Sequence, residues 1–193
     1  MLPVRRHALL TILVAAVAAM GPYWSPHTAL LLGDLVGYFP SLYAALPGTW
    51  DPMVQGGTPL LANPQAGFFY PPAWLLAGDL QAGLPLYVAL HLFVGGAACH
   101  GLVRRWLGDG WPALLAGLVF VLSGPSLSLA LTPDKLPGHA GLPVLLLGLL
   151  YALDDHRAPL RAAGLATAVG AVAAAWLGGS VEGVFGMAMV GPV

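Results

Sequence analysis

Long apolar runs alternate with short charged turns along most of this chain. Charged residues interrupt the apolar pattern at positions 104–105, 109, 134–135 and 154–161. A helix that crosses a membrane needs about 20 predominantly apolar residues, and most runs between these turns approach that length. The pattern therefore predicts an all-α fold, a polytopic transmembrane helix bundle with about five spans and the start of a sixth, at residues 7–24, 84–105, 111–131, 140–153, 162–178 and 181–193.

The amino-acid composition agrees with a membrane protein and excludes several other classes. Hydrophobic residues make up 58% of the chain and charged residues 8%, whereas a soluble domain carries about 25% charged residues. The net charge of −1 argues against a nucleic-acid partner, which would require a basic face. The single cysteine, Cys99, excludes a disulfide framework and a CxxC metal site. Membrane lipid is therefore an expected partner, and nucleic acid is not.

The basic residues are divided unequally between the two ends of the predicted spans. Six of the seven are arginines that fall at one end, and Lys135 alone falls at the other. Because cytoplasmic loops of membrane proteins carry an excess of Lys and Arg, this pattern predicts a cytoplasmic N-terminus. Residues 25–83, 132–139 and 179–182 are then expected on the outer side.

The first apolar run has an alternative interpretation. Its basic start and the small residues at 16–18 also fit a cleaved secretory signal peptide. Pro22, Tyr23 and Trp24 are typical of the interfacial end of a span and favour a retained helix. Both interpretations leave Ser25 outside. The chain ends inside an apolar stretch, so we expect it to be the N-terminal part of a longer protein.

The segment 25–83 is too long for a simple connection between two spans. Its many turn-forming residues lie beside aromatic residues, which favours an ordered loop. Aromatic side chains such as Tyr70 are also common anchors at the membrane interface, but that role does not explain Asn63 and Gln65. We expect Asn63 and Gln65 to pack against the turn at 70–72, and the loop to cover the outer ends of the spans.

The motifs of this segment resemble those of a known family. In chain order they are Asp34, Trp50-Asp51-Pro52, Gly56-Gly57-Thr58-Pro59-Leu60, Asn63-Pro64-Gln65 and Phe69-Tyr70-Pro71-Pro72. The series resembles the first external loop of the bacterial YfhO-like membrane proteins, which are similar to the wider GT-C superfamily of polytopic glycosyltransferases. The resemblance implies transfer of a sugar from a polyprenyl-phosphate donor to a cell-envelope acceptor. It also implies the outer face of the bacterial cytoplasmic (inner) membrane as the place of transfer.

Asp34 is the candidate catalytic residue for such a reaction. Inverting transfer needs a carboxylate that takes the proton of the acceptor hydroxyl, and Asp34 follows the first predicted span at the depth of a lipid phosphate. A carboxylate at a membrane boundary is costly unless it is paired or solvated, which favours a functional role. The structural alternative is a helix N-cap, because Asp34 precedes an apolar helical pattern.

Three further residues are candidates on the same side. Lys135 and His139 are expected to contact the donor phosphate, and Glu182 is a candidate second acid. The alternatives are a solvated lysine paired with Asp134, a histidine that caps the fourth span, and a Glu182 that pairs with Lys135. No metal site is expected from the residue spacing. Many enzymes of the GT-C superfamily carry two adjacent acidic residues in this loop, whereas Asp34 has apolar neighbours. A divalent cation therefore stays an open alternative.

A second function class also fits the sequence. A transporter or flippase-like membrane protein would carry ionisable groups near the middle of the membrane, often in repeated halves. Here His91 and His100 are the main groups of this kind, and the chain has no internal repeat. The polar residues concentrate instead on the outer side, which favours the enzyme. A third alternative is that this part of the protein is inactive by itself.

Overall fold

The computed structural model describes residues 7–25, 34–46, 48–53, 56–154 and 156–189, with the backbone alone for Asp34. Arg5, Arg6, Asp155 and the end of the predicted sixth span at 190–193 lie outside the described residues. So do residues 26–33 of the segment 25–83, which is named the external loop after its predicted position.

The described residues form an all-α bundle, which confirms the predicted fold class. The helices are α1 (Ala8–Ala19), α2 (Asp34–Gly37), α3 (Phe39–Ala44), α4 (Leu80–Leu107), α5 (Trp111–Leu122), α6 (Gly124–Ser128), α7 (Leu136–Asp154), α8 (Ala158–Leu177) and α9 (Val181–Met189). Two short strands, β1 (Trp50–Asp51) and β2 (Thr58–Pro59), pair antiparallel in the loop between α3 and α4.

Four helical stretches among the described residues are long and apolar enough to cross a membrane. They are Leu80–Leu107, Trp111–Leu131, Pro133–Asp154 and Ala158–Leu177. The first predicted span is represented by α1, a shorter apolar helix of 12 residues, which continues into a 3-10 turn at Gly21–Trp24. α4 has 28 residues, a length of about 42 Å at 1.5 Å per residue, so its ends extend beyond an apolar layer about 30 Å thick.

Three helices, α4, α7 and α8, begin four residues before their predicted starts. α4 begins at Leu80 because Asp79 caps it, with the carboxylate accepting hydrogen bonds from the backbone of Gln81 and Ala82. α7 begins at Leu136, directly after a 3-10 turn at Pro133–Lys135. Its Pro137 occupies the first turn, where proline is favoured, so a residue that suggested a loop belongs to the helix. His139 therefore lies inside α7 and not in a loop.

The third predicted span is interrupted near its C-terminal end. α5 ends at Leu122, and Ser123 caps α6 by accepting a hydrogen bond from the backbone of Ser126 at 3.3 Å. Pro125 lacks the N–H that would continue α5 without a break. α6 then leads through a 3-10 turn at Leu129–Leu131 to the start of α7.

Glycines allow α7 and α8 to approach closely. A Cβ atom at Gly164 of α8 would lie 2.6 Å from both the carbonyl oxygen of Gly148 and the backbone nitrogen of Ala152 on α7. Gly148 faces the same contact, where an added Cβ would lie 2.8 Å from the carbonyl oxygen of Gly164. Small residues at such interfaces are typical of helix packing in lipid, because close backbones gain van der Waals contact.

The described part of the external loop is ordered and packs against the bundle. Its 3-10 turn at Pro71–Leu76 contacts α4, and its buried residues join the core formed with α1 and α4. Gly57, at a φ of 117°, lies directly under the ring of Trp50, so the hairpin of β1 and β2 leaves no room there for a side chain. The loop therefore closes one end of the bundle. The opposite end carries the arginines of α4 and α8.

Candidate functional site

Asp134 is the buried centre of a polar cluster at the loop-covered end of the bundle. Its side chain lies in the 3-10 turn before α7 and is 2% exposed. The amide of Gln65 donates a hydrogen bond to Asp134 Oδ2 at 3.1 Å. Asp134 Oδ1 is buried without a hydrogen-bond partner among the described residues. A buried carboxylate oxygen in this state is costly and is the kind of feature found at functional positions.

The external loop holds this carboxylate through a chain of hydrogen bonds. Tyr38 donates its hydroxyl to Gln65 Oε1 at 3.0 Å and accepts from the amide of Asn63 at 3.1 Å. Asn63 Oδ1 in turn accepts from the backbone N–H of Gln65 at 3.0 Å, which fixes the 3-10 turn that carries Gln65. Asn63 thus bonds to Tyr38, and Gln65 bonds to Tyr38 and Asp134. The hydrogen bonds of these two side chains do not go to the turn at 70–72, on which they were expected to pack.

Lys135 and Glu182 form an ion pair at the surface of the same cluster. Lys135 Nζ lies 3.4 Å from Glu182 Oε1, and the two side chains are 42% and 71% exposed. Ser180 donates a hydrogen bond to the carbonyl oxygen of Lys135 at 3.3 Å, which ties the start of α9 to the turn before α7. Lys135 therefore pairs with Glu182 across the fold, while its neighbour Asp134 is held by Gln65. Both charges of the pair lie within electrostatic reach of Asp134.

Tyr70 and His91 join the loop to α4 beneath this cluster. His91 Nδ1 donates to the carbonyl oxygen of Tyr87 at 2.7 Å, and in the neutral ring Nε2 then accepts from the Tyr70 hydroxyl at 2.8 Å. Tyr87 donates its own hydroxyl to the carbonyl oxygen of Pro133, next to Asp134. Burial raises the pKa of Tyr70 to about 12, so this phenol keeps the proton that it donates.

The contacts of His139 lie outside the cluster around Asp134. Its Nε2 shares a hydrogen bond with the hydroxyl of Ser126 at 2.8 Å, and its ring stacks on Phe120 with centroids 4.8 Å apart. These contacts tie α7 to the break between α5 and α6. Lys135 and Glu182 are brought together in an ion pair, whereas the hydrogen bond of His139 goes to Ser126 and its ring stacks on Phe120.

The backbone of Asp34 begins α2, one helical turn before Tyr38. Because Tyr38 bonds to Gln65 and Gln65 to Asp134, the main chain at Asp34 belongs to the same end of the molecule. The side chain of Asp34 lies outside the described part of the structure, so its catalytic and capping roles both stay predictions.

Sequence reasoning misses Asp134, because beside Lys135 in a short turn it has the pattern of a solvated ion-pair partner. The signal that could have found it is an acidic residue at the boundary of an apolar run. The charge of Asp134 also reaches Tyr43: burial of the Tyr43 hydroxyl and, second, the Asp134 charge raise the pKa of that phenol well above its ordinary value. The carboxylate of Asp134, the amides of Gln65 and Asn63 and the hydroxyl of Tyr38 form one connected set of hydrogen bonds.

The cluster has the chemistry of an anion and hydroxyl site. Within the described ranges no three His, Cys, Asp or Glu side chains stand close enough to hold a metal ion. An ammonium group on the surface can bind phosphate, and carboxylates beside it can accept a proton.

No protein-family model matches this chain, and no curated protein or solved structure is similar to it at a significant level.

Proposed function

We propose that this chain belongs to a membrane-embedded glycosyltransferase-like protein that transfers a sugar from a polyprenyl-phosphate donor to a cell-envelope acceptor. The observation that carries the proposal is the cluster around Asp134, Lys135 and Glu182 at one end of an apolar bundle. A lipid-linked phosphate places its charge at this depth while its chain stays in the membrane. The orientation that fits is an N-terminus in the cytoplasm, with the cluster on the outer face of the bacterial inner membrane.

Lys135 is the proposed ligand of the donor phosphate. Its ion pair with Glu182 is largely exposed, and exposed pairs contribute only about 0–1 kcal/mol. Lys135 can therefore exchange the carboxylate for a phosphate at small cost. Released in this way, Glu182 is available as the second acid. His139, held by Ser126, would act on the phosphate only after a rearrangement.

Asp34 is the proposed general base, and Asp134 is the residue that positions the loop around it. The oxygens of Asp134 are buried under Gln65 and its neighbours, so Asp134 does not reach an acceptor in this conformation. Asp34 stands at the start of α2, the short helix directly before Tyr38, and Tyr38 bonds to the cluster. In the reaction the acceptor hydroxyl loses its proton to Asp34 as its oxygen attacks the sugar, and the lipid phosphate departs toward Lys135.

The decisive experiment measures transfer from a labelled polyprenyl-phosphate hexose to envelope membranes by the full-length protein in liposomes. Asp34→Asn keeps the size and the capping ability of the side chain but removes its basicity. We expect the transfer rate to fall by about 10²–10⁴-fold, the usual effect of losing a general base, with membrane insertion unchanged. Lys135→Gln should mainly weaken donor binding, and Lys135→Arg should restore part of it.

Asp79→Asn is the matched control. Asp79 is an N-cap at the same end of the bundle, and asparagine caps equally well, so transfer should be unchanged. Near-normal transfer by Asp34→Asn would contradict the base role and leave the capping role. Movement of the labelled lipid across the bilayer with no transfer by the unaltered protein would favour the flippase-like alternative instead.

A further inference from the structure

A group of exposed apolar side chains lies on the external loop shortly before α4. Phe69 is 63% exposed, Trp74 47% and Leu75 38%. These three residues are called the apolar edge of the loop. Single exposed apolar residues are ordinary on a protein surface, whereas a group of them marks a surface that contacts another molecule or a membrane. None of the three takes part in the proposed sugar transfer, so the apolar edge needs an explanation of its own.

Phe68 joins the two aromatic rings of the apolar edge to the bundle. Its ring lies edge-on to Phe69, with centroids 5.1 Å apart, and edge-on to Trp74, with centroids 6.2 Å apart. Phe68 itself packs against the buried core, and its carbonyl oxygen accepts a hydrogen bond from Trp74 Nε1 at 3.0 Å. The indole N–H is thus satisfied within the protein, so the Trp74 ring can enter an apolar medium without losing a hydrogen bond.

The apolar edge continues an exposed apolar face of α4. Gly83 of α4 lies directly against the backbone of Leu75, which leaves no room there for a side chain. Leu86, Leu90 and Val94 follow Gly83 on the same face of the helix, and all three are exposed. α4 is long and apolar enough to cross a membrane, and an exposed apolar stripe on a spanning helix faces lipid. Leu75 extends this stripe beyond the first turn of α4.

The sequence around the apolar edge carries no charge. Between Asp51 and Asp79 there is no Asp, Glu, Lys, Arg or His, whereas a soluble domain carries about 25% charged residues. A loop surrounded by water would be expected to expose some charged side chains. The composition of this segment is therefore that of a surface in contact with lipid.

We propose that the apolar edge lies in the membrane, at the boundary between the lipid headgroups and the acyl chains. Exposed tryptophan and phenylalanine side chains are typical of this level, because their large rings are mainly apolar. Gln65 lies in the 3-10 turn at Pro64–Ala66, shortly before Phe69, so this placement holds the cluster around Asp134 at the level of the headgroups. It is independent of the proposed sugar transfer, because it uses none of the residues assigned to that reaction.

The test follows a fluorophore on the apolar edge of the full chain in phosphatidylcholine vesicles. In a Cys99→Ala background, which removes the single native thiol, Phe69→Cys or Leu75→Cys is labelled with a nitrobenzoxadiazole group. Phosphatidylcholine with a nitroxide near the headgroup end of its acyl chain quenches the fluorophore from the membrane, and iodide quenches it from water. At both positions we expect emission at a shorter wavelength than in water and loss of fluorescence to the nitroxide lipid, with little effect of iodide.

Two further positions calibrate the quenchers. Leu90→Cys reports the response on the exposed stripe of α4, and Leu153→Cys reports that of an exposed leucine beside a charge, Asp154. Stronger quenching by iodide than by nitroxide lipid at position 69 or 75 would show that water surrounds the apolar edge. Quenching by neither would show that protein covers it, either a second copy of the chain or another partner. Each of these two results would overturn the proposal.

The two labelled positions also guard against a misfolded variant. Phe69 and Leu75 are both exposed, so neither change opens the core. Thermal unfolding in detergent checks each unlabelled variant. If one change lowers the unfolding temperature, the other position decides, because Phe69 precedes the 3-10 turn at Pro71–Leu76 that carries Leu75.

Discussion

Tyr70 and His91 hold the external loop to α4 through hydrogen bonds that use both nitrogens of the imidazole ring. His91 is 3% exposed, so neither nitrogen can turn to water if its protein partner is lost. The donor from the loop is the Tyr70 hydroxyl, and the acceptor on α4 is the carbonyl oxygen of Tyr87. The position of the loop that carries Asn63 and Gln65 therefore depends on the buried contact of Tyr70 with His91, which lies outside the cluster around Asp134.

Tyr70→Phe tests this contact. The change removes one hydroxyl and leaves His91 Nε2 buried without a partner, which should lower the free energy of unfolding by about 1–3 kcal/mol. Thermal unfolding in detergent measures the loss, and hydrogen exchange should show faster opening at residues 64–76. Tyr23→Phe is the control, since the hydroxyl of Tyr23 makes no hydrogen bond in the described part of the chain. Equal effects of both changes would contradict the role of Tyr70.

The hydrogen bonds at the loop-covered end of the bundle could not be predicted from a single sequence. Gln65 and Asp134 are 69 positions apart, and no periodicity relates an amide in a loop to a carboxylate before a helix. The residue types were still informative: the sequence singled out Gln65 and Asn63 because anchoring at an interface did not explain them. Their partners depend on how the bundle folds the loop over α4, a long-range property that local patterns do not encode.

The apolar runs predicted the long helices well because span length and turn charge are local features. α4, α5, α7 and α8 each overlap one predicted span over most of its length. The errors lie at helix ends, where capping and proline chemistry decide the boundary. Asp79 starts α4 early, Pro137 belongs to the first turn of α7, and Ser123 caps a new helix inside the third predicted span.

The contact between α7 and α8 provides a sharper test at the level of helix packing. Gly164→Ala places a methyl group 2.6 Å from the backbone of α7, which must move apart to accept it. We expect the free energy of unfolding to fall by about 1–3 kcal/mol, the range for overpacking. Unfolding in mixed micelles with increasing denaturing detergent measures it.

Gly170→Ala in the same helix is the control for helix propensity. A Cβ at Gly170 meets nothing within 4 Å, so this change should leave stability unchanged or raise it by up to about 1 kcal/mol. If Gly164→Ala were as stable as Gly170→Ala, the close approach of the two helices would be wrong. The comparison separates packing from the general preference of helices for alanine.

The molecule as a whole has two chemically different ends joined by apolar helices. One end carries the loop, the buried Asp134 and the ion pair of Lys135 with Glu182. The other carries the ion pair of Arg105 with Asp154. The orientation of the bundle therefore decides which end meets the outside of the cell.

Cysteine labelling tests that orientation in intact cells. In a Cys99→Ala background, which removes the single native thiol, Met53→Cys and Glu182→Cys report on the loop end, and Asp109→Cys and Leu153→Cys on the arginine end. Met53 and Leu153 are 78% and 79% exposed, so both thiols are accessible to reagent. A membrane-impermeant maleimide should label positions 53 and 182 from outside, and positions 109 and 153 only after lysis, because six of the seven basic residues lie at the end predicted to face the cytoplasm.

The reverse labelling pattern would agree with a spanning bundle of the opposite orientation. It would place the cluster around Asp134 in the cytoplasm and contradict transfer at the outer face. External labelling of both position 53 and position 153 would show that the four long helices do not separate the two ends across a membrane.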